Sequence, residues 1–384
     1  MTIKRMEKLI VFLLVITAIS FRCQSQSVNL PDSIYSGKQG SFHVQGVVVD
    51  KANSYVYFSF TDKLIKMDFS GKLIGSVTGF VGHLGDLDFS DDGKIYGSLE
   101  YKNDAIGKGI KKKLGVQTSN EDSFYIAIFD GSRIVRPNMD AEKEDLLRTV
   151  YIKEAINDYK ADVKDGNQKK QHRFACSGID GVAFAPSIGN SNLTKKFLYV
   201  AYGIYGDTAR SDNDYQVILK YDVSDWGKYA QILSQDRLHN SGPKKPLDKY
   251  FLKTGNTSYG IQNLAYDPHT GNLFAAVYRG SKNQFPNYDL FVIDRKKKPV
   301  HSYIRSDNED IKVKTLSLLE AGLKDPKTGI RGWFFKWGST GLYPLGNGLF
   351  YISHNSKAKD GQQQSVIYRY KWVGDDQNAF MLVK

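Results

Sequence analysis

GSFHVQGVVVDKANSYVYFSF, residues 40–60, runs from a histidine into an apolar stretch, turns over KANS and returns through a second apolar stretch. GHLGDLDFSDDGKIYGSLE, residues 82–100, repeats the pattern with its own histidine, a DDG turn and a second apolar run. Short apolar runs bounded by turn residues read as paired β-strands. The same grammar recurs as GIDGVAFAP then KFLYVAYG, as GIQNLAYDP then NLFAAVYRG, and as GSTGLYPLG then GLFYISHN. The five units start at His43, His83, Gly178, Gly260 and Gly338.

Each unit continues into what reads as a further hairpin: KLIKMDFSGKLIGSV, FYIAIFDGSRIVRP, VILKYDVSDWGKYAQIL, LFVIDRKKKPVHSYI and VIYRYKWVGDDQNAFMLV. A four-stranded unit copied five times predicts an all-β chain folded as a β-propeller with five four-stranded blades. The blades fall at about 40–79, 80–138, 176–235, 258–306 and 337–384, so residues 40–384 form one propeller domain and residues 26–39 are a linker or a closing strand. A six-bladed ring is the alternative, with the extra blade in 136–175 or 306–336. Those stretches lack the repeat, however, and DAEKEDLLRTVYIKEAINDYKADV and IKVKTLSLLEAGLKDP have the composition of short helices.

The chain of 384 residues, with 41% apolar and 13% aromatic content, can bury a large core without disulfides. Its net charge of +12 favours anionic partners. The start, MTIKRMEKLIVFLLVITAISFRCQSQS, has basic residues, then an apolar stretch too short for a membrane span, then small polar residues. Residues 1–25 therefore read as a secretory signal peptide, which implies an exported protein: periplasmic, extracellular or surface-anchored through Cys23. Phe21 and Arg22 fit lipidation of Cys23 poorly, and no other segment is apolar enough to span a bilayer. A monomer is expected, and no nucleic-acid-binding module is recognisable.

Successive strands of a blade run in opposite directions, so the links after first and third strands share one face and those after second and fourth strands share the other. The first face is predicted to carry short turns. The second is predicted to carry the long connections at 101–122, 136–177, 203–214, 235–258, 279–287, 306–337 and 354–364, the usual seat of binding or catalysis. Strand ends there supply His43, Gln45, His83, Asp180, Gln262 and Asn263 from first strands, and Glu100, Tyr202, Tyr205, Asp207, Tyr278, Arg279, His354 and Asn355 from second strands.

Three chemistries suit these residue types. His43, His83 and His354 with Glu100 or Asp180 would suit a divalent metal. A tyrosine or histidine base with Arg279 over a carboxylate would suit elimination from a uronic acid, with Tyr202, Tyr205 and Tyr278 as the candidate tyrosines. Glu100, Asp180 and Asp207 would suit glycoside hydrolysis.

In architecture the chain resembles the five-bladed carbohydrate-active propellers of glycoside hydrolase or polysaccharide lyase type. No specific family motif accompanies the resemblance, and His43 and Gln45 stand where the hydrolases generally carry an acid. What the resemblance implies is an enzyme acting on an anionic or complex carbohydrate at the loop-rich face. The catalytic candidates are then His43, His83, Glu100, Asp180, Tyr202, Arg279 and His354. The substrate-binding candidates are Gln45, Tyr205, Asp207, Gln262, Asn263, Tyr278 and Asn355. A noncatalytic propeller that binds glycan or protein through the same face is the alternative. Basic loop residues, including KGIKKK at 108–113, would draw an anionic ligand toward this rim.

Overall fold

Five antiparallel sheets are arranged as the blades of a propeller in a computed structural model that describes residues 29–117 and 121–383. The leader-like residues 1–25, with Cys23, lie outside the described residues. The inner strands are Val44–Asp50, His83–Phe89, Cys176–Pro186, Ile261–Asp267 and Leu342–Gly346. Each packs against the next, and the fifth returns to the first, closing the ring. Aromatic pairs seat neighbouring blades on one another, with ring centroids 6.0 Å apart for Tyr57–Phe89, 5.1 Å for Tyr96–Phe184 and 5.0 Å for Phe274–Phe350. No sixth blade is present among the described residues.

The outer strands depart from expectation. FYIAIF forms the third strand of blade 2, but SRIVRP does not return beside it, because Asp130 caps a short 3-10 turn, Gly131–Arg133. The fourth strand is Leu147–Tyr151, whose β-branched and aromatic residues were masked by the acidic run before them. In blade 3 the fourth strand is Asp248–Lys253 and not KYAQIL. Consequently 130–146 and 222–247 lie on the face predicted to be plain, so that face also carries long links in these two blades.

Of the two expected helices, one forms near its predicted place, as Lys153–Lys160. The other does not: Glu309–Thr315 is a strand whose lysines 312 and 314 point out while Val313 and Thr315 are buried. There the period of two outweighs helical composition.

In three of the five blades a segment next along the ring covers the outer edge. Met139–Asp140, from blade 2, pairs parallel with the edge of blade 1, and Gln231–Ile232, from blade 3, pairs with blade 2. The hairpin Val300–Ser306/Glu309–Thr315, which follows the third strand of blade 4, pairs with blade 3. It was expected to complete blade 4, where the outer position holds only the bridges Leu290–Trp333 and Ile293–Leu318. Blade 5 has a composite fourth strand: Ser33–Lys38 pairs along one part of Gln363–Trp372, and Phe380–Leu382 along the remainder. The fourth strands of blades 1, 2 and 3 are thus paired on their outer side.

At the centre, the fourth position of the repeat reads Gly46, Asp86, Gly181, Asn263 and Gly341. The glycines are required by close approach: a Cβ at Gly46 would lie 2.8 Å from the Asp86 Cα, and one at Gly181 would lie 3.0 Å from the Ile261 carbonyl oxygen. The two polar residues tie the blades together. Asp86 Oδ2 accepts the backbone N–H of Val182 in blade 3 (3.0 Å) and of Leu264 in blade 4 (2.9 Å). Asn263 Nδ2 donates to the carbonyls of Gln45 in blade 1 (2.7 Å) and Ser339 beside blade 5 (3.3 Å), while its Oδ1 accepts the Leu342 N–H at 3.1 Å. Both side chains are buried, and burial drives the Asp86 pKa well above the usual carboxylate range.

Asn263→Ala strands three backbone groups without their partner. It should lower the unfolding free energy by about 3 kcal/mol, read as a reduced urea midpoint at unchanged slope. A loss under about 0.5 kcal/mol would mean that the blades cohere without these bonds.

Candidate functional site

Four of the five inner strands carry a bulge just inside their start, between Val44 and Gly46, Leu84 and Leu87, Ile179 and Val182, and Ile261 and Asn263. A bulge interrupts the alternation of side chains and can re-aim one residue. Here Gln45, Asp180 and Gln262 sit in the bulges and line a cavity of about 540 Å³. His43 and His83, two residues earlier in the repeat, line it as well.

Helix α1, Ala105–Leu114, walls one side of the cavity. Asp104 caps it by accepting the Gly107 N–H at 2.8 Å, and Gly115 ends it in the left-handed conformation. Ala105, Ile106, Gly109 and Ile110 face the cavity beside Phe42. Tyr259 and Tyr278, 6.1 Å apart edge to face, also line it.

A buried charge network lies against the cavity. His83 and Glu100 are directly opposite across the first two strands of blade 2, with Nδ1 3.3 Å from Oε2. The Lys102 ammonium lies 2.7 Å from the same oxygen and donates to the Ser177 carbonyl at 2.8 Å. Glu100 Oε1 accepts the Ile179 N–H at 2.6 Å. Room for the carboxylates is made by glycine: a Cβ at Gly178 would lie 1.6 Å from Glu100 Oε1, and one at Gly203 would lie 2.2 Å from Asp180 Oδ2.

Burial, aided by the Glu100 charge, pushes the Asp180 carboxyl up to about 7. Burial, with His83 and Lys113 nearby, lowers His43 to about 4. Burial also pushes Tyr278 up to about 12.

His83, Glu100 and Asp180 each offer an atom within 4.8 Å of the others, a spacing that could suit a metal. The donor set does not. Both Glu100 oxygens are engaged, and a divalent ion would face the Lys102 ammonium that already balances the carboxylate.

Other predicted residues lie outside the cavity. Tyr202 opposes Ile179 in the ladder and is wholly buried in the core, its parity opposite to that of Gly203 beside Asp180. Arg279 forks onto Asp289, with Nη2–Oδ2 at 2.6 Å, and lies 4.9 Å over Phe334. His354 is stacked on Trp337 at 3.8 Å and bonds the Tyr370 hydroxyl through Nε2 at 2.9 Å. It is thus separated from His43 and His83 by its strand's alternation.

Asn263 is the axial tie already described. Tyr205 donates to Asp104 at 2.6 Å and so braces the start of α1, while Asp207 is 3.5 Å from Lys170 on the surface. Asn355 accepts from Thr340 at 3.4 Å. Conversely, the cavity uses Phe42, Lys102, Lys113 and Tyr259, which were not among the candidates. The run KGIKKK had marked Lys113 only as a basic loop residue, and its helical face was the missing signal.

No protein-family model matches the chain, and no curated protein is similar to it. Among solved structures, it is similar to a glucose dehydrogenase at 10% identity over 88% of this chain and 99% of that one, with a TM-score of 0.36. The Dos1 propeller is similar at 12% identity over 89% and 82%, with a TM-score of 0.28. The calcium-binding protein regucalcin from Agrobacterium tumefaciens strain C58 is similar at 11% identity over 91% and 97%, with a TM-score of 0.33.

The raised Asp180 pKa has a signed consequence for stability. Unfolded, the group titrates near 3.8. The fold therefore holds its proton more tightly, and stability is lost as pH rises toward about 7. Asp180→Asn removes that loss, so its stability relative to wild type should climb between pH 4 and 7.5 in paired urea titrations. A gap that stays constant with pH would contradict the assignment.

Proposed function

We propose that this protein is a propeller enzyme that admits one sugar-sized segment of an acidic or complex carbohydrate to the axial cavity and moves a proton on it. The supporting observation is the convergence of His83 and Asp180, atoms within 4.8 Å, on a cavity of about 540 Å³. That volume falls in the range of small-molecule sites, about 300–1,000 Å³. With Nδ1 turned to Glu100, His83 has Nε2 available as a base. Asp180 is poised to carry a proton near neutral pH. Amide side chains from Gln45 and Gln262 suit hydroxyl groups, and the aromatic walls suit the apolar faces of a sugar ring.

Elimination is favoured over hydrolysis, because Glu100 is committed to Lys102 and does not provide a second free carboxylate: His83 Nε2 takes the C5 proton, its electron pair forms the C4=C5 bond as C4–O breaks, and Asp180 protonates the departing oxygen. Noncatalytic binding is the second reading. It is favoured by Tyr202 and Arg279 lying outside the cavity, since a binding pocket needs neither. The leader-like start supports export of the chain in either case.

Incubation with uronate-containing saccharides should yield an unsaturated product absorbing at short ultraviolet wavelength, and neutral saccharides, which have no carboxylate to acidify the C5 proton, should yield none. His83→Ala and Asp180→Asn should each slow its formation by about 10²–10⁴-fold. New reducing ends without unsaturation would favour hydrolysis. Saturable binding with no product from any saccharide would favour the noncatalytic reading.

A further inference from the structure

Resting on that reading of the cavity, we infer that Lys113 is the residue that selects the ligand, and that it selects a sugar carboxylate. Ile106, Gly109, Ile110 and Lys113 follow helical spacing and share the face of α1 that walls the cavity. Lys113 therefore reaches the cavity from the helix, its ammonium 5.0 Å over the Phe42 ring.

The charges around it are otherwise balanced. Lys102 is paired with Glu100, His43 is held neutral, and Asp180 is held largely protonated below about pH 7. Among the described residues no carboxylate forms an ion pair with Lys113. An anionic group entering the cavity thus meets one uncompensated cation at the mouth and uncharged donors beneath it. Because Lys113 is exposed, the ligand gains its contact at little desolvation cost to the free protein.

The number of donors argues for carboxylate over phosphate. Phosphate is commonly held by an arginine fork or several backbone N–H groups, whereas a single ammonium is a point charge. Among the described residues no arginine lines this cavity.

Calorimetric titration of the full chain at low salt with D-glucuronate, D-glucose and glucose 6-phosphate tests the assignment. Glucuronate should bind at least about tenfold tighter than glucose. Lys113→Gln should erase that advantage while leaving glucose binding unchanged, and Lys113→Arg should retain it. Equal binding of glucose and glucuronate, both weakened by His83→Ala, would overturn the lysine assignment and leave the cavity reading standing. Tighter binding of glucose 6-phosphate than of glucuronate would overturn the choice of carboxylate. If neither sugar binds, the carbohydrate reading falls and the assignment of Lys113 falls with it.

Discussion

Two side chains hold the ring at its axis. Asp86 reaches from blade 2 to backbone N–H groups of blades 3 and 4, and Asn263 reaches from blade 4 to blades 1 and 5. Each is a short polar side chain in a space that adjacent glycines leave open. The arrangement resolves a conflict in closing a sheet around an axis, where backbone groups of five strands converge with too little room for five side chains. Gly, Asp, Gly, Asn, Gly around the ring fills that space and satisfies the buried groups.

The repeat made the five inner strands and their partners readable from sequence, because each pair is local and its turn residues bound it. Outer strands were less readable. Leu147–Tyr151 is hidden behind an acidic run, and Val300–Ser306 joins a neighbouring blade, a choice governed by tertiary packing. The site divides along similar lines. His43, Gln45, His83, Asp180, Gln262 and Tyr278 line one cavity because they occupy corresponding ends of repeated strands. Tyr202 and His354 occupy such ends too, yet alternation turns them elsewhere. Arg279 was not separable by sequence from a mouth residue, since its Asp289 partner lies across a loop. Bulges, which re-aim a single residue, have no signature in these strands beyond a glycine or amide.

The charge network explains why the cavity can hold an acid near neutrality. The Glu100 carboxylate lies beside the Lys102 ammonium and accepts a backbone N–H in a buried place. That fixed charge, with burial, opposes ionisation of Asp180. It also orients the His83 ring. A single carboxylate thus acts on both Asp180 and His83, while Gly178 and Gly203 leave room for the Glu100 and Asp180 side chains.

Blade 5 is completed by two segments far apart in the sequence, Ser33–Lys38 and Phe380–Leu382. During synthesis the first of these emerges early and has nothing to join until more than three hundred residues have followed it. A chain that stops before Gln363 leaves Ser33–Lys38 without its partner, and one that stops before Phe380 leaves part of the flank of Gln363–Trp372 open. Closing the ring therefore waits until the early segment, its distant partner strand and the short strand after it are all present.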